Sequence, residues 1–130
     1  MLREIGRPGP YAETRPLELT EVELDPPGKG EVLVRVRAAG LCHSDLSVID
    51  GNRPRPMPMV LGHEAAGVVE DLGTNVTHLE RGDHVVAAFV PSCGHCIPCA
   101  TGRPALCEPG FKANTAGTLL SGERRLHEAG

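Results

Sequence analysis

Four cysteines fall within one short stretch, PSCGHCIPCATGRPALC, at Cys93, Cys96, Cys99 and Cys107. Each Cys-x2-Cys turn can bring two sulfurs to one side of a tight bend, and the fourth cysteine returns from a short loop. A closed tetrahedron of thiolates is the arrangement preferred by structural Zn²⁺, with Zn–S bonds of about 2.3 Å. Such a cage gives rigidity and does no chemistry. The sharper rival is an iron–sulfur cluster, since Cys-x2-Cys-x2-Cys also opens the bacterial ferredoxin run. That run continues Cys-x3-Cys-Pro, whereas here the fourth cysteine comes later and Glu108 follows it. Two disulfides would suit a secreted chain, but Met1 to Pro10 (MLREIGRPGP) shows no apolar secretory core. Spacing and ligand type favour zinc.

A second constellation uses the remaining cysteine. Cys42 and His43 lie in GLCHSD, just after a valine-rich run, and His63 and Glu64 lie in GHE, just before another apolar run. A thiolate and an imidazole delivered by neighbouring strand ends can converge on one metal. Catalytic zinc typically has three protein ligands and keeps a fourth position open for water or substrate. Cys42 and His63 would supply two of them, with Asp45 a candidate acceptor for the far ring nitrogen of His63. Glu64 would lie close behind the metal. At this spacing an unconnected cysteine and histidine stay open as the bland alternative.

The elements that must position these groups read as short strands. Glu31 to Ala38 (EVLVRVRA) alternates, with Val32, Val34 and Val36 on one face and Arg35 and Arg37 on a solvated one. Leu17 to Leu24 reads as a half-exposed strand, Ala65 to Glu70 as a strand whose Gly67 marks a bulge or a close backbone approach, and His84 to Val90 as a third apolar strand. Pro54, Pro56 and Pro58 make Asn52 to Met59 a loop. Phe111 to Gly130 is compatible with a loop, a frayed helix or an element lacking its partner. The 16 glycines and 12 prolines argue against long helices, and the few aromatics leave an aliphatic core. This pattern predicts a mainly β fold, a small barrel or sandwich, within one domain over 1–130 and a zinc loop at about 91–110. A formal charge of -4, with no basic run, argues against nucleic acid, and no apolar stretch is long enough for a membrane span. A cytoplasmic protein with reduced thiols is the expectation. Gly28-Lys29-Gly30 is the nearest approach to a dinucleotide fingerprint, and Leu33 occupies its last glycine position, so no Rossmann half is expected here.

GLCHSD, GHEAAGVVEDLGTNV and the four-cysteine loop together resemble the N-terminal part of zinc-dependent medium-chain alcohol dehydrogenases. Gly62, His63, Glu64, Gly67, Gly73 and Val76 fall on the specified positions of that family's zinc motif. The resemblance is specific from about residue 31 to 110 and looser towards both ends. It implies a GroES-like, partly open β-barrel carrying a structural-zinc loop. It also implies catalytic zinc on Cys42 and His63, and structural zinc on Cys93, Cys96, Cys99 and Cys107. The family passes hydride between alcohols and NAD or NADP, with zinc as the Lewis acid that lowers the alcohol's pKa. By the same resemblance Ser44 hydrogen-bonds the alcohol oxygen and starts a proton relay, and His43 approaches the cofactor pyrophosphate. Glu64 reads either as a group that eases ligand exchange at zinc or as a buried carboxylate paired with a distant arginine.

Two departures stand out. Some classical members place a histidine three residues beyond the relay serine, where this chain has Ser47. The family's third catalytic ligand and its Rossmann domain lie beyond position 130, so these residues alone are expected to be inactive. Completed, the protein would oxidise a small-molecule alcohol to an aldehyde or ketone, as a homo-oligomer. The rival from another class is a non-catalytic zinc-stabilised binding or scaffold module in which Cys42 and His63 are inert.

Overall fold

A computed structural model describes residues 1–129. The chain divides into two compact units. The first comprises Met1–Thr20, Cys42–Leu61 and Phe89–Arg124; the second comprises Glu21–Leu41, Gly62–Ala88 and Arg125–Gly130.

The second unit holds the strands. Antiparallel strands β2 (Val32–Gly40), β3 (Glu64–Leu72) and β4 (His84–Val86) form a three-stranded sheet with β3 in the centre. A separate antiparallel pair joins β1 (Val22–Leu24) to β5 (Leu126–Glu128). The larger sheet is open, in keeping with the partly open GroES-like fold. Val69 on the central strand is its one deeply buried side chain among those described.

The expected valine face of β2 is interrupted. The β2–β3 register shifts between Leu33 and Val34 and again between Val36 and Ala38, so strict alternation fails and Val36 is exposed. Gly67 sits opposite Val36, and a Cβ there would overlap the Arg35 carbonyl, so only glycine fits this close crossing. The Arg35 guanidinium pairs with Glu70 on the solvated face. Strand β4 is shorter than the His84–Val90 reading. The ladder runs one bond further, from Ala87 N–H to the Ala65 carbonyl, and the Phe89 carbonyl accepts instead from Asn114 Nδ2. Asp83 fixes the turn before β4 by accepting the Glu80 amide at 2.8 Å.

A partly buried ion pair ties β2 to the segment leading into β5. Arg125 Nε and Nη2 donate to the Glu31 carboxylate at 2.8 and 3.1 Å, and the Gly28 amide donates to it at 2.8 Å. The Arg125 hydrogen bond first, then the Gly28 amide, holds the Glu31 pKa below the ordinary carboxylate value. Because the folded-state pKa is depressed, the stabilisation is present above the unfolded value of about 4.3 and is lost as pH falls through the folded one. Arg125→Met is therefore expected to cost about 1–2 kcal/mol near pH 7, and less at pH 3. Urea denaturation at both pH values checks this, and a pH-independent difference would contradict it.

The first unit is built from short helices and loops. Its core cluster is Leu2, Val48 and Ile49, against which Ile5, Tyr11, Met57, Met59 and Leu61 pack. Leu2 is anchored by bonds in both directions with Met59. Helix α1 (Tyr11–Thr14) is a single turn. Helix α2 (His43–Ile49) was not expected from the sequence; it presents Val48 and Ile49 to this core. Its first turn is fastened by the Cys42 amide donating to Asp45 Oδ2 at 3.3 Å. Helix α3 (Ile97–Ala100), a 3₁₀ turn (Pro104–Leu106) and helix α4 (Glu108–Ala116) complete the unit. Of the readings left open for Phe111 to Gly130, α4 and β5 replace a uniform loop; Gly130 itself lies outside the described residues. No helix among the described residues is long and apolar enough to cross a membrane.

Candidate metal centre

The four-cysteine loop is shaped by its glycines and helix ends. Gly94 and Gly102 adopt positive φ (82° and 77°), which lets the chain reverse between successive cysteines at no Cβ cost. Cys96 is the N-cap of α3, where Pro98 sits in the first turn, and Thr101 Oγ1 closes that turn on the Ile97 carbonyl at 2.8 Å. Cys107 is fully buried and caps α4 through its sulfur, which accepts the Gly110 amide at 3.3 Å. Gly110 was not singled out from sequence. A Cβ there would overlap the Pro91 carbonyl, so the loop can close only around a glycine three residues after the last cysteine.

All four sulfurs lie within 4.8 Å of one another, and Cys96 Sγ stands 3.9 Å from Cys107 Sγ. A tetrahedral ion with bonds of about 2.3 Å spaces its ligands by about 3.8 Å, so this is the scale of a single-ion cage. The separation leaves no room for a multi-iron cluster between the sulfurs. The five cysteines are unbridged, which removes the disulfide reading.

The surrounding amides favour anionic sulfur. Cys107 Sγ accepts from Cys93 N–H at 3.2 Å, and Cys93 Sγ from Cys96 N–H at 3.4 Å. Amide bonds from His95 and then Cys96 lower the Cys93 pKa to about 6. Burial first, and then the neighbouring thiols of Cys96 and Cys107, push Cys99 up to about 12. Four thiolates cannot coexist at this spacing without a cation, and a soft-tolerant dication satisfies them together. The donor set fits structural zinc. The His95 ring is exposed and meets the Cys93 carbonyl, Nδ1 to O at 2.8 Å.

In the first unit Cys42 is the N-cap of α2 and half-buried, His43 begins the helix and is exposed, and Ser44 follows half-buried. The Ser47 hydroxyl donates to the His43 carbonyl at 3.2 Å. In the second unit half-buried His63 immediately precedes β3, and Glu64 opens that strand. Glu64 is exposed, not the buried carboxylate considered from sequence, and its side chain lies over Gly40, its partner in the β2–β3 ladder. His127 meets Asp25 Oδ2 at 2.7 Å.

Residues 28–127 match the alcohol dehydrogenase GroES-like domain family. An NDMA-dependent alcohol dehydrogenase of Amycolatopsis methanolica is 50% identical over 120 residues, 92% of this chain and 32% of that protein. An S-(hydroxymethyl)glutathione dehydrogenase of Escherichia coli is 39% identical over 117 residues, 89% of this chain and 32% of that protein. Among solved structures, an alcohol dehydrogenase zinc-binding domain protein from Burkholderia ambifaria superposes with a TM-score of 0.84 at 44% identity, over 98% of this chain and 32% of that one. The chain thus spans about a third of the length of the relatives it matches. With a sheet, a sulfur cage and a family match that agree, the chain belongs to the alcohol dehydrogenase GroES-like domain family.

Proposed function

We propose that this chain is the metal-binding portion of a zinc-dependent, NAD(P)-linked alcohol dehydrogenase that acts on small alcohols or aldehydes as a cytoplasmic homo-oligomer. The observation that carries the reading is the four-sulfur cage within a chain of this family. Cys93, Cys96, Cys99 and Cys107 hold a structural zinc, and Cys42 and His63 hold a catalytic one together with a ligand from outside the described residues. Chain connectivity supports the second pairing. Gly40 and Glu64 form the last pair of the β2–β3 ladder; Cys42 follows Gly40 by two residues and His63 directly precedes Glu64.

Zinc at that site supplies Lewis acidity, which lowers the pKa of a bound alcohol towards neutrality. Ser44, in the first turn of α2, receives the alcohol proton through its hydroxyl. The Ser47 hydroxyl is turned back onto its own helix, donating to the His43 carbonyl, so it would not take the proton on from Ser44. His43, exposed at the helix start, would bind the pyrophosphate of a nicotinamide cofactor, and Glu64 would tune ligand exchange at a bound metal. The names of the relatives, one an alcohol dehydrogenase and one acting on S-(hydroxymethyl)glutathione, favour the alcohol and formaldehyde branches.

The test is a chimaera in which this chain replaces the matching segment of the Amycolatopsis methanolica enzyme. Alcohol-dependent turnover with two zinc ions per chain is expected. Cys42→Ala should remove one zinc and lower kcat by at least about 1000-fold, in line with loss of a main catalytic element. A chimaera that folds, holds one zinc and is inactive would assign the chain to a scaffold role.

A further inference from the structure

Arg3, Arg7, Arg35, Arg81 and Arg125 each hold a carboxylate. Arg53 and Arg55, both in the first unit, have no ion-pair partner among the described residues, as is also true of Arg15, Arg37, Arg103 and Arg124; Arg53 and Arg55 stand apart in sharing one cluster of fixed contacts. Neither side chain is loose. The Arg53 guanidinium carbon lies 5.1 Å from the centroid of the Phe89 ring, within cation–π range. Arg53 N–H donates to the Ser47 carbonyl at 2.7 Å, which fixes the loop to the end of α2. Arg55 Nη2 donates to Asn114 Oδ1 at 3.2 Å and Nη1 to the Pro54 carbonyl at 3.0 Å. Asn114 Nδ2 in turn donates to the Phe89 carbonyl at 3.1 Å. Arg53, Phe89, Asn114 and Arg55 therefore form one connected cluster, stiffened by Pro54 and Pro56.

This arrangement works against itself electrostatically. Partial burial first, and then the charge of Arg53, lower the pKa of Arg55, yet a guanidinium stays protonated at neutral pH. Two fixed cations, partly desolvated and facing no carboxylate, are complementary to an added anion. Their planar forks suit carboxylate or phosphate oxygens in bidentate geometry. We infer that Arg53 and Arg55 form a binding site for a small carboxylate or phosphate anion, preorganised by Phe89 and Asn114.

The experiment is a titration of the zinc-loaded chain with sodium succinate or sodium phosphate at constant ionic strength, followed by NMR of the arginine Nε–H and Asn114 side-chain signals. Saturable shifts are expected at Arg53, Arg55 and Asn114. Arg53→Gln and Arg55→Gln should each weaken the apparent Kd about tenfold, and Arg55→Lys by less, because charge survives without the fork. Shifts that rise linearly without saturating, or saturation that persists unchanged in the double Arg53→Gln/Arg55→Gln variant, would overturn the site. Zinc content and the remaining amide signals report folding; should Arg55→Gln unfold, Arg53→Gln still decides, since it leaves the Asn114 bond intact. Butyrate and 4-hydroxybutyrate separate the sources of the anion. Equal affinities make it a free ligand, and tighter binding of the hydroxy acid makes it the tail of an alcohol; both uphold the site.

Discussion

Cys107→Ser is expected to weaken zinc binding at the cage more than about 100-fold, beyond the 10–100-fold typical of residues that merely support a ligand. Serine is nearly isosteric and is itself a preferred N-cap, so the start of α4 keeps its cap while the metal loses a thiolate. The substitution thus separates two roles that one buried sulfur performs, since Cys107 Sγ also accepts the amides of Cys93 and Gly110. Zinc retention against a graded chelator is the measurement, with circular dichroism as the fold control. If half-release occurs at the same chelator concentration in both proteins, the four-sulfur cage does not hold the metal.

In the second unit the largest effect is expected at Gly73. Its amide donates to the Glu31 carbonyl at 2.8 Å, and a Cβ there would overlap the Gly28 carbonyl. Both sides of that contact are backbone, and the Gly30 amide to Thr74 carbonyl bond at 2.8 Å holds the segments together, so neither can retreat. Gly73→Ala should cost about 3 kcal/mol, the upper range for overpacking a tight site. Gly30→Ala is the internal control. Gly30 has φ of 75° and open space around it, so alanine there meets only backbone strain of about 1 kcal/mol. Urea midpoints that fall equally in the two variants would show that the Gly73–Gly28 crossing is not rigid.

What could be read from the sequence was chemistry with short-range spacing. The cage lay open because Cys93, Cys96, Cys99 and Cys107 sit in one loop, and strands β2 and β3 showed in their valine-rich runs. Gly67 announced a close backbone approach, which the structure places against the Arg35 carbonyl, but the positions of the register shifts in β2 did not show, because they are set by the cross-strand partner. Helix α2 was hidden for a different reason. Its N-cap is a cysteine, not the usual serine or threonine, and only Asp45 three residues later hints at a cap. Helix α4 was obscured in the same way, since its cap is the sulfur of Cys107. The Arg53–Phe89 pairing joins residues remote in sequence, and no local pattern announces it.

The cage spans 14 residues from Cys93 to Cys107, whereas the His127–Asp25 contact beside the β1–β5 pair bridges 102. Closing the shorter loop costs about 1.8 kcal/mol less chain entropy. Low contact order therefore makes this loop a candidate nucleus that captures its ion while the rest of the polypeptide is still searching, with the terminal ribbon zipping last.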